Sequence, residues 1–108
     1  MLGLLRSLMG GSNDELDNVL KQGAVVIDVR TRAEFQGGHV AGSKNIPLAE
    51  IAEGLKGHPP SKPIVFCCAS GGRSGQATSY AVSKGLTAVN GGPWTNVNRA
   101  IQNLNQEK

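Results

Sequence analysis

A cysteine is a nucleophile only as its thiolate, and the segment Cys67-Cys68-Ala69-Ser70-Gly71-Gly72-Arg73-Ser74 holds what a thiolate needs. Gly71 and Gly72 let successive main-chain N–H groups curl toward one point and form a concave anion nest. Arg73-Ser74 opens a helix whose N-terminus adds about half a positive charge on the same side. Such surroundings take a cysteine pKa from about 8.5 down to roughly 3.5–7.5, each unit favouring the anion by about 1.36 kcal/mol. Cys68, first in the loop, is the expected nucleophile. Cys67 is still inside the preceding strand and reads as a small buried hydrophobe. Arg73 faces the loop, and a solvated first-turn arginine is the plainer account of it.

A loop of this kind requires a strand before it and a helix after it. Residues 63–67 are a short apolar run with Pro63 tolerated at its first position, and residues 73–84 read as a helix stopped by Gly85. Residues 24–29 form a second strand buried on both faces, and residues 86–89 a third. Ser12-Asn13-Asp14-Glu15 is a capping box ahead of Leu16, Val19 and Leu20, and that helix ends at Gly23. Thr31 caps a short helix through Phe35, broken by Gly37-Gly38. Leu48, Ile51, Ala52 and Leu55 mark a helix over 48–56, stopped by His58-Pro59-Pro60. Gly91-Gly92-Pro93 turns the chain into a last helix carrying Val97, Ile101 and Leu104. Strands alternating with helices predict an α/β fold, one parallel sheet with helices on both faces. In such a sheet the ligand sits beyond the C-terminal strand ends, where residues 29 and 67 both fall.

Composition narrows the function. The 108 residues allow one domain. A hydrophobic share of 39% and a charged share of 18% fit a globular chain. The net charge is +3, but the 11 Lys and Arg are dispersed and only one Trp, one Tyr and two Phe could stack on bases, which argues against nucleic acid. No apolar stretch is long enough for a membrane span. Residues 1–9 are apolar but interrupted by Arg6, and read as an arm or short amphipathic helix rather than a signal peptide. Adjacent cysteines disfavour a disulfide, and two His with no C-x-x-C leave no zinc site. Cytoplasm is the default location, with the periplasm open if a leader had been removed.

The loop resembles the C-x-S-G-x-R-S of single-domain rhodanese-like sulfurtransferases, matched by Cys68-Ala69-Ser70-Gly71-Gly72-Arg73-Ser74. Asp28-Val29-Arg30, Glu34-Phe35, Gly38-His39-Val40-Ala41-Gly42-Ser43 and Asn45-Ile46-Pro47 resemble the family's upstream signature, and Gly91-Gly92 with Trp94 its closing one. The resemblance implies a rhodanese-like domain over 12–108 behind an arm of residues 1–11. Its sheet would have four or five strands, because none is evident ahead of the Ser12 helix. It implies a persulfide on Cys68, taken from a donor such as thiosulfate and passed to a thiol or cyanide, with ping-pong kinetics and no metal or organic cofactor. Ala69, Ser70, Gly71, Gly72, Arg73 and Ser74 would bind substrate, with Arg73 stabilising departing sulfite. Arg30 has two accounts: a positive field beside the loop, or an ion pair with Glu34 at helical spacing. Asp28 reads as a cap of the following turn and His39 as a hydrogen-bond partner of the loop around Gly42. The expected partners are a small anionic sulfur donor and a low-molecular thiol or thioredoxin-like acceptor reaching an exposed loop. No nucleic acid or membrane partner is expected, and the default state is a monomer. Many thiosulfate-using members carry Arg directly after the cysteine; this chain has Ala69.

Two other functions fit part of the pattern. Counted from Cys67, Cys67-x5-Arg73-Ser74 satisfies the phosphate loop of tyrosine phosphatases and arsenate reductases, although Phe66 stands where phosphatases have His and no general-acid Asp is evident. A non-catalytic binding module is the second, against which the retained cysteine speaks. A redox sensor in which Cys67 resolves an oxidised Cys68 is a variant that adjacency disfavours.

Overall fold

The computed structural model describes residues 14–106, so the arm of residues 1–11 and the Ser12-Asn13 start of the first capping box lie outside the described residues. Helix α1 (Asp14–Lys21) buries Leu16 and Val19, and Gly23, with φ +82°, takes the left-handed turn that ends it. Strand β1 (Val25–Asp28) follows. Helix α2 (Arg32–Gln36) starts at Thr31, whose hydroxyl accepts from Glu34 N while the Glu34 carboxylate accepts from Thr31 N. Next come β2 (Lys44–Asn45), a 3-10 turn (Leu48–Glu50), α3 (Ile51–Gly54) and β3 (Ile64–Cys68). The chain closes with α4 (Gly72–Ser83), β4 (Ala88–Pro93) and α5 (Trp94–Gln106).

Among the described residues the sheet has four strands in the order β2-β1-β3-β4, all parallel, so every C-terminal strand end lies along one edge. All five β3 side chains are fully buried, as a central strand covered on both faces must be. The period of two then sorts them. Val65 and Cys67 join Leu16, Val19, Val26, Val97 and Ala100 under α1 and α5. Ile64, Phe66 and Cys68 join Ile27, Ile51, Leu55, Ala77 and Ala81 under α3 and α4. Burying such aliphatic and aromatic side chains contributes about 1.5–3 kcal/mol each, which makes β3 the anchor of the domain.

Three local expectations are corrected. The helix expected over 48–56 is a 3-10 turn followed by a single α-turn, although Ile51 and Leu55 are buried as its spacing requires. Gly54 packs on Ile46, where a Cβ would lie 2.7 Å from Ile46 Cγ2, and Gly57, with φ +79°, turns the chain out of the helical conformation. The third strand begins at Ala88 and continues through Gly91-Gly92-Pro93, which the sequence assigns to a turn. Strand pairing overrides the local turn preference because Gly91 alone fits there: a Cβ would lie 2.5 Å from Val97 Cγ2 and 2.9 Å from Val65 Cγ1. The short edge strand β2 carries no sequence signal; its pairing continues in the Ile46 N–H to Asp28 carbonyl bond of 3.0 Å.

Candidate active site

Cys68 ends β3 at the C-terminal edge of the sheet, and Gly71, with φ +111°, turns the chain from the strand into α4. That left-handed residue aims its own N–H back at the strand. Gly71 N donates to Cys68 Sγ at 2.9 Å, Ser74 N donates at 3.4 Å, and Ser74 Oγ lies 3.3 Å from the same sulfur. Burial works against a charged Cys68. Hydrogen bonds from the Ser74 hydroxyl and from the N–H groups of Ser74, Gly71 and Ser70 outweigh it and hold the pKa below its ordinary value. The expected nest therefore forms, through part of the loop's main chain.

Ser74 has one hydroxyl proton and two claimants. Its Oγ lies 2.7 Å from Asn90 Oδ1. The orientation of the Asn90 amide follows from its neighbours: Oδ1 also accepts from Gly92 N at 2.9 Å, and Nδ2 donates to the Gly71 carbonyl at 3.1 Å. With the thiol protonated, Ser74 donates to Asn90 and receives the S–H; once the thiolate forms, the hydroxyl turns to sulfur. The main-chain donors are present in both states and add to the hydroxyl in favouring the anion. Asn90 thus ties β4 to the loop, a role the sequence reasoning missed. Its cause is a register slip: Phe66 pairs with Asn90 but Cys68 with Pro93, so β4 holds one extra residue. The Gly91-Gly92 doublet was the available signal.

Cys67 is the opposite case. It is buried on the other face, and burial, followed by the nearby Asp28 carboxylate, pushes its pKa up to about 12. The phosphate loop headed by Cys67 is overturned on that ground: its sulfur faces the α1/α5 core, away from the loop. The two thiols are both free.

Arg73 extends to Glu34, Nη1 to Oε1 at 2.8 Å and Nη2 to Oε2 at 3.1 Å, while remaining near enough to Cys68 for their charges to interact. The expected Arg30–Glu34 carboxylate pair is corrected accordingly. Arg30 is 5% exposed and grips Asp28, Nη2 to Oδ2 at 2.8 Å, and donates to the Glu34 and Gly38 carbonyls. Its guanidinium also lies 5.0 Å from the Trp94 ring centroid. Asp28 caps the turn as expected, accepting from Arg30 N at 3.0 Å. His39 bonds not toward Gly42 but to the Phe35 carbonyl, with Nδ1 at 2.7 Å and its ring stacked on Phe35. Ala69, Ser70 and Gly72 are exposed, whereas Cys68 has no exposed surface, which corrects the expectation of a thiol within direct reach of an acceptor. A groove of about 800 Å³ against Leu20, Val25, Lys62 and Leu104 lies at the opposite end of the strands. Among the described residues no group of His, Cys, Asp and Glu is placed to hold a metal ion, and no helix is long and apolar enough to cross a membrane.

Fold and site define a class: a parallel α/β domain presenting one hydrogen-bonded cysteine at a strand-to-helix loop. A rhodanese-like domain profile matches residues 12–96, and the chain belongs to that family. Thiosulfate sulfurtransferase GlpE of Pseudomonas fluorescens (strain SBW25) is 32% identical over 69 residues, 64% of this chain and 63% of that protein, so the match spans less than two thirds of that relative's length. A rhodanese-like domain protein from Staphylococcus aureus superposes with TM-score 0.67 at 30% identity, covering 80% of this chain and 86% of the other. The human single-domain sulfurtransferase TSTD1 gives TM-score 0.58 at 36% identity over 71% of this chain and 82% of its own.

Proposed function

We propose that the chain is a sulfurtransferase that carries sulfane sulfur on Cys68. The Cys68 thiolate attacks the outer sulfur of a donor such as thiosulfate. The donor S–S bond breaks, its electron pair leaves with the departing group (sulfite, for thiosulfate), and a persulfide remains on Cys68. An acceptor thiolate or cyanide then attacks the terminal sulfur and returns the Cys68 thiolate, so the two halves form a ping-pong cycle. Because Cys68 is buried, donor and acceptor enter when residues 69–72 part, and Gly71 and Gly72 supply that freedom. A low-molecular thiol or a thioredoxin-like protein suits the acceptor role.

The observation that carries this function is the set of main-chain N–H donors converging on Cys68 Sγ, and the thiosulfate sulfurtransferase name of a 32% identical relative supports it. Incubation with thiosulfate or an organic persulfide is expected to add one sulfur atom to Cys68 by intact mass, lost on adding dithiothreitol. Failure to load with both donors would overturn the assignment.

A further inference from the structure

The cation beside the Cys68 loop is already engaged. Arg73 makes two parallel hydrogen bonds to the Glu34 carboxylate, although both side chains keep over a third of their surface exposed. Glu34 is not free to swing away, because its Oε1 also accepts from Thr31 N and Thr31 Oγ1 at 3.0 Å each, as part of the box that starts α2. The nearby charges cancel further: Arg30 is matched by Asp28, and Arg32 by Glu50 at 2.7 Å. Residues 69–72 bring no charge, and Asn90 and Trp94 are neutral. With Arg73 and Glu34 offsetting each other, the ionised thiol leaves the site with one net negative charge. The Arg73 guanidinium and the Thr31 bonds hold the Glu34 pKa down at about 2, so the cancellation persists at any ordinary assay pH.

We propose that Glu34 is a specificity-determining residue: by occupying Arg73 it denies the loop a free cation and directs Cys68 toward hydropersulfide donors, R–S–SH, and away from the thiosulfate dianion. The inference rests on the sulfur-transfer function above. In the favoured step, Cys68 thiolate attacks the outer sulfur of R–S–SH, a bond forms between Cys68 Sγ and that sulfur to give the Cys68 persulfide, the donor S–S bond breaks, and its electron pair leaves with the thiolate R–S⁻. The species attacked is the protonated hydropersulfide, which brings no second negative charge to the site, and no doubly charged leaving group develops as it does when sulfite departs. Glu34 acts through Arg73 and does not itself touch the reacting sulfurs.

The test measures kcat/KM for persulfide formation with thiosulfate and with hydroxyethyl hydropersulfide, in the wild type and in Glu34→Gln. Glutamine retains the acceptor that starts α2 and removes only the charge. Freeing Arg73 is expected to raise the ratio of thiosulfate to hydropersulfide kcat/KM by about tenfold or more. A second measurement needs no variant: in the wild type, added inert salt should speed loading by thiosulfate, by screening like charges, and leave loading by hydropersulfide nearly level. An unchanged donor ratio in Glu34→Gln, or thiosulfate loading that falls with salt, overturns the inference while leaving sulfur transfer intact. Should Glu34→Gln not fold, the salt dependence decides alone. Loading by neither donor overturns both this inference and the function beneath it.

Discussion

Cys67 and Cys68 are joined by one peptide bond and live in different environments. The strand's alternation sends one sulfur into the α1/α5 core, where no hydrogen-bond donor meets it and burial pushes its pKa to about 12. It sends the other to the α3/α4 side at the mouth of the loop, where donors from Gly71 and Ser74 hold its pKa below the ordinary value. Neither has exposed surface, but Cys67 lies deeper in the core, so burial and donor geometry together separate them. A buried thiol becomes a nucleophile when the chain beyond it folds back and supplies N–H groups, and stays inert when it does not.

The sharpest way to break this contrast is to remove each sulfur in turn. Cys68→Ser is expected to lower thiocyanate formation by at least about a thousandfold, as loss of a nucleophile does. Cys67→Ala should retain the activity and lose only about 1 kcal/mol of stability, the effect of a small core cavity. Equal losses in the two variants would end the distinction. A smaller effect comes from the donors. Ser74→Ala removes one hydroxyl bond to the Cys68 sulfur and should move the pH profile of its alkylation by iodoacetamide upward by about one pH unit, the equivalent of a charged hydrogen bond of about 1.5 kcal/mol. Peptide mapping should find Cys67 unlabelled in the folded protein.

The smallest effect is in stability at alkaline pH. An unfolded cysteine ionises near pH 8.5, whereas folded Cys67 holds its proton to about 12. Between those values the unfolded chain binds fewer protons, so stability falls as pH rises, by about 1–2 kcal/mol near pH 10. Cys68 has the opposite sign. Its contribution is complete above the unfolded value and is lost as pH falls through the depressed folded one. Urea midpoints across this range should therefore decline more steeply for the wild type than for Cys67→Ala, and parallel curves would show that Cys67 is not held neutral.

Much of the frame was legible because it is local. Thr31 and Glu34 start α2 three residues apart, Gly23 closes α1, and the apolar run before the loop is β3. The loop declared itself as well, since Cys68, Gly71 and Ser74 are close in sequence and meet at one sulfur. What escaped lies between distant segments. Glu34 reaches Arg73 across 39 positions, whereas a spacing of four suggested Arg30, which lies ahead of the Thr31 cap and outside α2. Asn90 reaches the loop only because β4 slips by one residue against β3, and Gly91-Gly92 reads locally as a turn until strand pairing straightens it. Periodicity has no access to such pairings, which depend on how the elements come together.

Trp94 closes this account in a practical way. It is the only tryptophan in the chain, it follows the Pro93 that pairs with Cys68, and its ring stands against the Arg30 guanidinium. Indole emission responds to nearby charge and dipoles, so the domain carries an intrinsic optical probe one residue beyond the position opposite Cys68, and a change in its emission on adding a sulfur donor is the expected signature of the proposed cycle.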